Sequence, residues 1–213
     1  MKKQFASALA ATSILLAPAL SLAATYEIDP AHSTAQFTVR HMMVTNVRGV
    51  FGKIAGTLKL DDKDVTKSTV EATIDASTID TGNEKRDGHL KSPDFFDVEK
   101  NPNLIFKSTK VEKAGKGKLK VTGDLTMRGV TKPAVLDVTW PENEVKVPAE
   151  MGGGVKRGAT ATTKINRKDF GISWNSKMDG GGVVVGDEVA ISIELELDKK
   201  DAAPAATDSK GTK

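Results

Sequence analysis

Apolar and polar residues alternate with a period of two along most of this chain. Between Ser33 and His41, Ala35, Phe37 and Val39 are separated by Thr34, Gln36, Thr38 and Arg40. That is the pattern of a strand with one apolar and one wet face. Val50 to Leu60 reads as one further strand, with Ile54, Leu58 and Leu60 on the apolar side together with Gly52 and Gly56, opposite Lys53, Thr57 and Lys59. Glycine inside a strand marks a bulge, a sharp coil or the close approach of another group. Val70, Ala72 and Ile74 form the next strand, and Leu104 and Phe106 alternate with Ile105 and Lys107. The run from Ala114 to Lys118 is a hairpin turn joining Lys110-Val111 to Leu119–Val121. Leu119, Val121, Leu125 and Met127 share one face with Gly123 between them. Ala134–Trp140 is another strand, and Thr160–Ile165 is a weaker one. The last is Val189–Leu197, with Val189, Ile191, Ile193, Leu195 and Leu197 facing in. About eight turn-bounded strands predict an all-β sandwich or barrel.

One stretch breaks the alternation. Thr81–Asn103 is polar, and Pro93 within it can open a short helical turn. Connections this long are uncommon inside a compact domain and often act as lids. A surface excursion is the other reading. The adjacent Phe95 and Phe96 favour the lid, because an exposed loop has no use for two phenylalanines.

Both ends of the chain stand apart. Lys2 and Lys3, an apolar run from Phe5 to Leu20 broken by Pro18, and Ser21-Leu22-Ala23 make a secretory signal peptide with cleavage after Ala23. Removing 23 of 213 residues leaves 190, the length of one domain. The expected organisation is a signal at 1–23, a barrel at 24–198 and a disordered tail at 199–213, where Lys, Ala and Asp dominate. A periplasmic location follows from the signal. Lys2 and Lys3 carry two of the three excess positive charges, and no basic face with interleaved aromatics exists, so nucleic acid is not an expected partner. With no cysteine, stability has to come from the core.

Residues that announce chemistry are scarce. His32 and His41 are nine residues apart on an extended segment, roughly 30 Å if it is straight, too far to share a metal. His32 and His89 read as ordinary hydrogen-bonded side chains. No G-x-S-x-G is present, Asp61-Asp62 sits in a turn, and neither Gly152–Gly154 nor Gly180–Gly182 has the context of a phosphate loop. No catalytic residue, metal ligand or cofactor is expected. What remains is volume. The inward positions are rich in small residues (Ala35, Gly52, Gly56, Ala72, Gly123, Ala159, Ala161) with few large aromatics. That suits an apolar tunnel, and it also suits layers that simply pack closer.

Gly123-Asp124-Leu125-Thr126-Met127-Arg128-Gly129-Val130-Thr131-Lys132-Pro133 resembles the hallmark of the YceI family of polyisoprenoid-binding periplasmic proteins. Asp29-Pro30-Ala31-His32-Ser33 with Phe37, and His89–Asp97, are similar to that family too. So are Pro102 with Phe106-Lys107-Ser108, and Asn166–Ile172; together the matches span Tyr26 to Leu197. The resemblance implies an elongated, lipocalin-like antiparallel barrel of about eight strands with a short helical excursion near one mouth. It also implies a bound isoprenoid, prenyl quinone or fatty-acid-like chain in the bore and no enzyme activity. Alternation and bulk nominate Phe37, Val39, Leu58, Leu104, Phe106, Leu125 and Met127 as the bore, with Phe95, Phe96, Phe170 and Trp174 at the mouth. Arg128 and Arg157 are candidates for a polar head group or for surface ion pairs. Transient contact with a membrane or membrane protein fits a lipid cargo, and the oligomeric state stays open. The alternatives are a lipid-modifying enzyme that uses a residue in the bore, and an interaction module with a filled interior.

Overall fold

The computed structural model describes residues 23–140, 143–178 and 181–200. The predicted signal up to residue 22, and residues 201–213 of the predicted tail, lie outside the described residues. The strands are β1 (Ala24–Ile28), β2 (Thr34–His41), β3 (Thr45–Phe51), β4 (Ile54–Leu60), β5 (Thr69–Asp75), β6 (Asn103–Gly115), β7 (Lys118–Met127), β8 (Val130–Thr139), β9 (Val145–Lys146), β10 (Val155–Asn166) and β11 (Val185–Lys200). Every pairing among them is antiparallel.

The sheet closes on itself in the order β11-β1-β4-β5-β6-β7-β8-β10 and back to β11. That is a barrel of eight positions. β2 follows β1 along the same edge of β11, which pairs with β1 through 197–200 and with β2 through 185–194. β3 precedes β4 in the same way, so two wall positions are each built from two strand segments. Closure removes the free edge along most of the wall, the outer side of β3 excepted.

The expected single strand at Val50–Leu60 is two strands. Lys53 has φ +50°, and the kink at Gly52-Lys53 shifts the side-chain phase. Phe51 and Ile54 are both buried, Val50 is exposed, and a Cβ on Gly52 would meet nothing within 4 Å. Gly52 therefore does not face a crowded interior in phase with Ile54. β11 continues to Lys200, where Thr25 pairs with it, so the first two residues of the predicted tail are wall.

The two ends of the barrel are closed differently. Beyond Val50, β3 has no continuous strand partner on its outer side; only an isolated bridge joins Val50 to Asp80. Residues 76–102 fill this gap and contain the helix α1 (Glu84–Lys91). Asn83 caps α1 by accepting from the Arg86 N–H. The helix lies before Pro93 rather than starting at it: it stops at Ser92, because a residue preceding proline is pushed out of the helical region. At the opposite end β4–β5, β6–β7 and β8–β9 are joined, and β1 starts there.

Glycine positions in the wall serve neighbouring aromatics. Phe37 pairs directly with Gly49, and its ring occupies the space that a Gly49 side chain would need; the Phe106 ring lies over Gly123 in the same way. A Cβ on Gly123 would lie 2.5 Å from both the Phe106 ring and the Lys107 carbonyl. A G123A variant is therefore expected to unfold about 1–3 kcal/mol more easily in urea, with the fold retained.

Candidate ligand-binding cavity

The inward faces of the strands enclose a cavity of about 250 Å³. Its wall reaches from Leu119 to Met127 along β7, a span of roughly 27 Å at strand rise. The space is thus long and narrow. All seven residues nominated for the bore line it, as do the five inward residues of β11 from Val189 to Leu197. The small-residue argument holds only in part. Ala35, Ala72 and Ala161 border the space, whereas Gly123 is filled by Phe106, and a Cβ on Gly56 would strike the backbone of Glu71 and Ala72. The cavity comes from medium aliphatics that stop short of the axis and from barrel closure, which holds them there.

The four aromatics nominated for the mouth divide. Phe95 and Phe96 line the cavity, and the Phe96 ring meets Phe51 edge-on at 5.5 Å. Phe170 is 2% exposed and belongs to the packed core rather than to the cavity wall. Trp174 packs against His89 at 4.9 Å and Phe95 at 5.4 Å, so it buttresses the cover from behind. Two of the four therefore contact the interior and two support it. The physical reason is that the 167–174 segment folds under α1 and spends its aromatics on packing.

Arg167 was not anticipated. It is 3% exposed and is the one ionisable side chain among the described cavity-lining residues. Its five N–H groups are all engaged: Nε donates to Gly186 O at 2.9 Å, and Nη1 to Ile172 O at 2.7 Å and Trp174 O at 2.9 Å. Nη2 donates to Val185 O at 3.2 Å and Asp187 Oδ1 at 3.3 Å. Burial pulls its pKa below the ordinary guanidinium value, and Asp187 opposes that. Asn166 caps the following 3₁₀ turn by accepting from the Lys168 N–H, which sets the turn that aims Arg167 inward. The side chain fastens the 172–174 stretch to the register shift in β11 between Val185 and Val189. No alternation pattern marks it, because it sits at a strand end.

Arg128 and Arg157 do not reach the interior. Arg128, in the β7–β8 turn at φ +50°, donates to the carbonyls of Gly171 and Pro93, tying three loops together below α1. Arg157 lies at the opposite end, over the Trp140 ring at 4.9 Å and the Tyr26 ring at 5.6 Å. There Glu144 accepts from Tyr26 Oη, from Lys199 Nζ at 2.9 Å and from Arg157 Nη2 at 3.3 Å. These bonds, Tyr26 first, hold the Glu144 carboxyl down at about 2. Burial, then Glu144, pushes the Tyr26 phenol up. The histidines stand apart: His32 bonds Asp29 at 2.8 Å and His89 bonds Asp94 at 2.9 Å. Asp29, His32 and Glu196 converge, but the Lys156 ammonium already lies 3.1 Å from Asp29 and 2.7 Å from Glu196. Their negative charge is therefore met by a fixed cation. His32, then the Ala31 N–H, holds Asp29 far below the usual carboxylate range.

A closed antiparallel barrel of eight positions has an interior that side chains fill or that holds one small ligand, and here it encloses an apolar cavity. A family profile described as YceI-like domain matches residues 26–197, and the chain belongs to that family. It is 35% identical over 193 residues to a UPF0312 protein of Vibrio parahaemolyticus, covering 88% of this chain and 95% of that one. A UPF0312 protein of Serratia proteamaculans is 37% identical over 196 residues, covering 91% and 97%. Among solved structures, Burkholderia cenocepacia BcnA superposes with a TM-score of 0.68 at 25% identity, covering 79% of this chain and 98% of that one. The Campylobacter jejuni YCEI protein gives 0.60 at 29%, covering 76% and 90%. A polyisoprenoid binding domain from Saccharophagus degradans, implicated in plant cell wall breakdown, shares the fold at a TM-score of 0.57 and 14% identity, covering 82% and 98%.

Two outcomes are expected. Replacing Arg167 by Ala takes this donor from the buried Ile172 carbonyl and the part-buried Trp174 and Gly186 carbonyls, while Val185 O keeps Asn175 Nδ2 at 2.7 Å. It is expected to cost about 3 kcal/mol in urea unfolding, since acceptors left unpaired keep their desolvation penalty. Glu144 titrates in the folded protein at about 2 against an ordinary 4.5. Its contribution to stability is thus complete above about pH 4.5 and is lost as pH falls towards 2. Calorimetric melting should show a shallower acid decline for E144Q than for the parent, with the remaining slope coming from the other carboxylates held low, Asp29, Asp64 and Asp75.

Proposed function

We propose that this protein holds a polyisoprenoid or other long-chain amphiphile, such as a prenyl quinone or fatty acid, in the barrel interior, acting as a carrier or store in the periplasm. The observation that carries the reading is the elongated apolar cavity of about 250 Å³. A dry apolar cavity of roughly 150 Å³ suffices to bind benzene. Each methylene moved from water into such a space contributes about 0.8 kcal/mol. A long tail therefore binds without polar contacts, and length and girth become the basis of selection. The polyisoprenoid binding named for the Saccharophagus degradans domain, which shares the fold, points the same way.

Binding is favoured over catalysis by the lining itself. General acid–base chemistry needs a titratable group within hydrogen-bond reach of the substrate. Among the described lining residues the one ionisable group is Arg167, whose donors are all committed to the protein. This lining supports reading the bound molecule as a ligand rather than a substrate.

The test is organic extraction of protein purified without detergent, followed by mass spectrometry. A long-chain lipid in near-stoichiometric amount is expected; its absence, with no uptake of added prenyl quinone, would reject the reading. Ala161 faces the cavity from β10. An A161F variant should fill the bore, keep its stability to within about 1.5 kcal/mol because the ring enters existing space, and lose at least about tenfold in lipid affinity in a fluorescence titration.

A further inference from the structure

The connection between β2 and β3 is built in a way that folding does not explain. Met42 and Met43 adopt φ of +49° and +60°, and the turn is closed by the Val44 N–H donating to His41 O at 3.0 Å. Left-handed positions in hairpin turns are normally filled by Asn, Asp or Gly; long side chains avoid them. Here they hold methionine, and the side chains gain no burial for it: Met42, Met43 and Val44 are 45%, 57% and 77% exposed. A turn that keeps three large apolar side chains in water, two of them in a disfavoured backbone conformation, points to a use outside the folded chain.

Its position narrows the use. The turn lies at the same end of the barrel as α1 and its cover. Met42 N–H donates to Val184 O at 2.8 Å, and the adjoining Val185 lines the cavity, as does Val39 two residues before His41. Further along the hairpin, Thr81, in the segment that leads into α1, shares with the Phe37 ring the space a Gly49 side chain would need. Met178 adds to the tip, since both its terminal methyl and Met43 lie within 4 Å of a Cβ built on Gly182. Arg40 and Arg48 flank the turn on the exposed face of β2 and β3, and neither forms an ion pair among the described residues. Arg40 instead donates to Asn46 Oδ1 at 3.3 Å and to Met43 O at 3.0 Å.

From this geometry we infer that the Met42–Val44 turn is a membrane-inserting tip, seating the cover end of the barrel on an anionic phospholipid surface so that the cargo passes between bilayer and cavity. The apolar side chains enter the acyl boundary while Arg40 and Arg48 meet phosphate head groups. A folded protein partner fits less well: a stable protein interface needs about 800 Å² on each side, and a protruding three-residue turn does not supply it. The inference rests on the lipid-binding reading above, and its test separates the two.

The test compares the parent protein with the triple variant Met42→Asn, Met43→Gly, Val44→Ser. This installs a turn that suits left-handed backbone, so folding is preserved or improved, which thermal melting checks. Flotation is measured with vesicles of phosphatidylethanolamine and phosphatidylglycerol. Uptake of a fluorescent long-chain fatty acid is measured separately, from free solution and from the same vesicles. The parent is expected to float, and the variant's partition to fall at least about tenfold. Uptake from solution should be unchanged in the variant, with uptake from vesicles slowed. Equal flotation of parent and variant would overturn the inference, as would a parent that takes up the probe from solution but does not float. Binding only to membranes that contain protein would overturn it in favour of a protein partner. Flotation that depends on the tip in a protein that takes up no probe would uphold the tip and refute the cavity's role instead.

Discussion

The closed ring of antiparallel hydrogen bonds, running from β11 through β10 and round to β1, is the constraint on which the cavity depends. Unfilled apolar space is ordinarily removed by collapse, because atoms facing a void lose their dispersion partners. A wall bonded all the way round cannot flatten without breaking ladder bonds, each of them costly to leave unmade. The aliphatic side chains of β2, β7 and β11 are thereby held apart across the axis, and the interior stays available to something other than the protein.

The ends of the barrel carry what the wall does not. At one end the 76–102 segment covers a gap in strand pairing, supported by Trp174 and His89 behind Phe95 and by Arg128 holding Pro93 and Gly171. Arg167 ties the neighbouring loop to the register shift in β11. At the other end Tyr26, with no exposed surface, and the Glu144 ion-pair network close the base over Trp140. Polar groups thus serve as fasteners at the ends of the barrel, and Arg167, which borders the cavity, keeps its donors on the protein. The cover end also carries the exposed Met42–Val44 turn, so the features suited to exchange share one end.

The alternation of Phe37 with Val39, of Leu125 with Met127, and of Val189 through Leu197 was enough to place the wall and its inward face, because a half-buried strand has to alternate. The polar, non-alternating 81–103 stretch marked a helical excursion, and the family resemblance decided for a closed barrel over a sandwich. What stayed hidden depends on tertiary context. The break at Lys53 is a single left-handed residue inside an otherwise regular pattern. β1 is five residues long and abuts the expected leader, so its Tyr26–Ile28 alternation is too short to stand out. Phe170 and Trp174 have the bulk of mouth residues, but local chain direction sends them into packing. Arg167 looks like any surface arginine until five acceptors from distant stretches converge on it.

The most direct test of the empty interior is a crystal structure of the delipidated protein soaked with a long-chain fatty acid brominated at its tail. Anomalous bromine signal between Phe106 and the inward residues of β11 is expected, with little movement of the wall. An interior occupied end to end by the protein's own side chains, with bromine only at the surface, would contradict it.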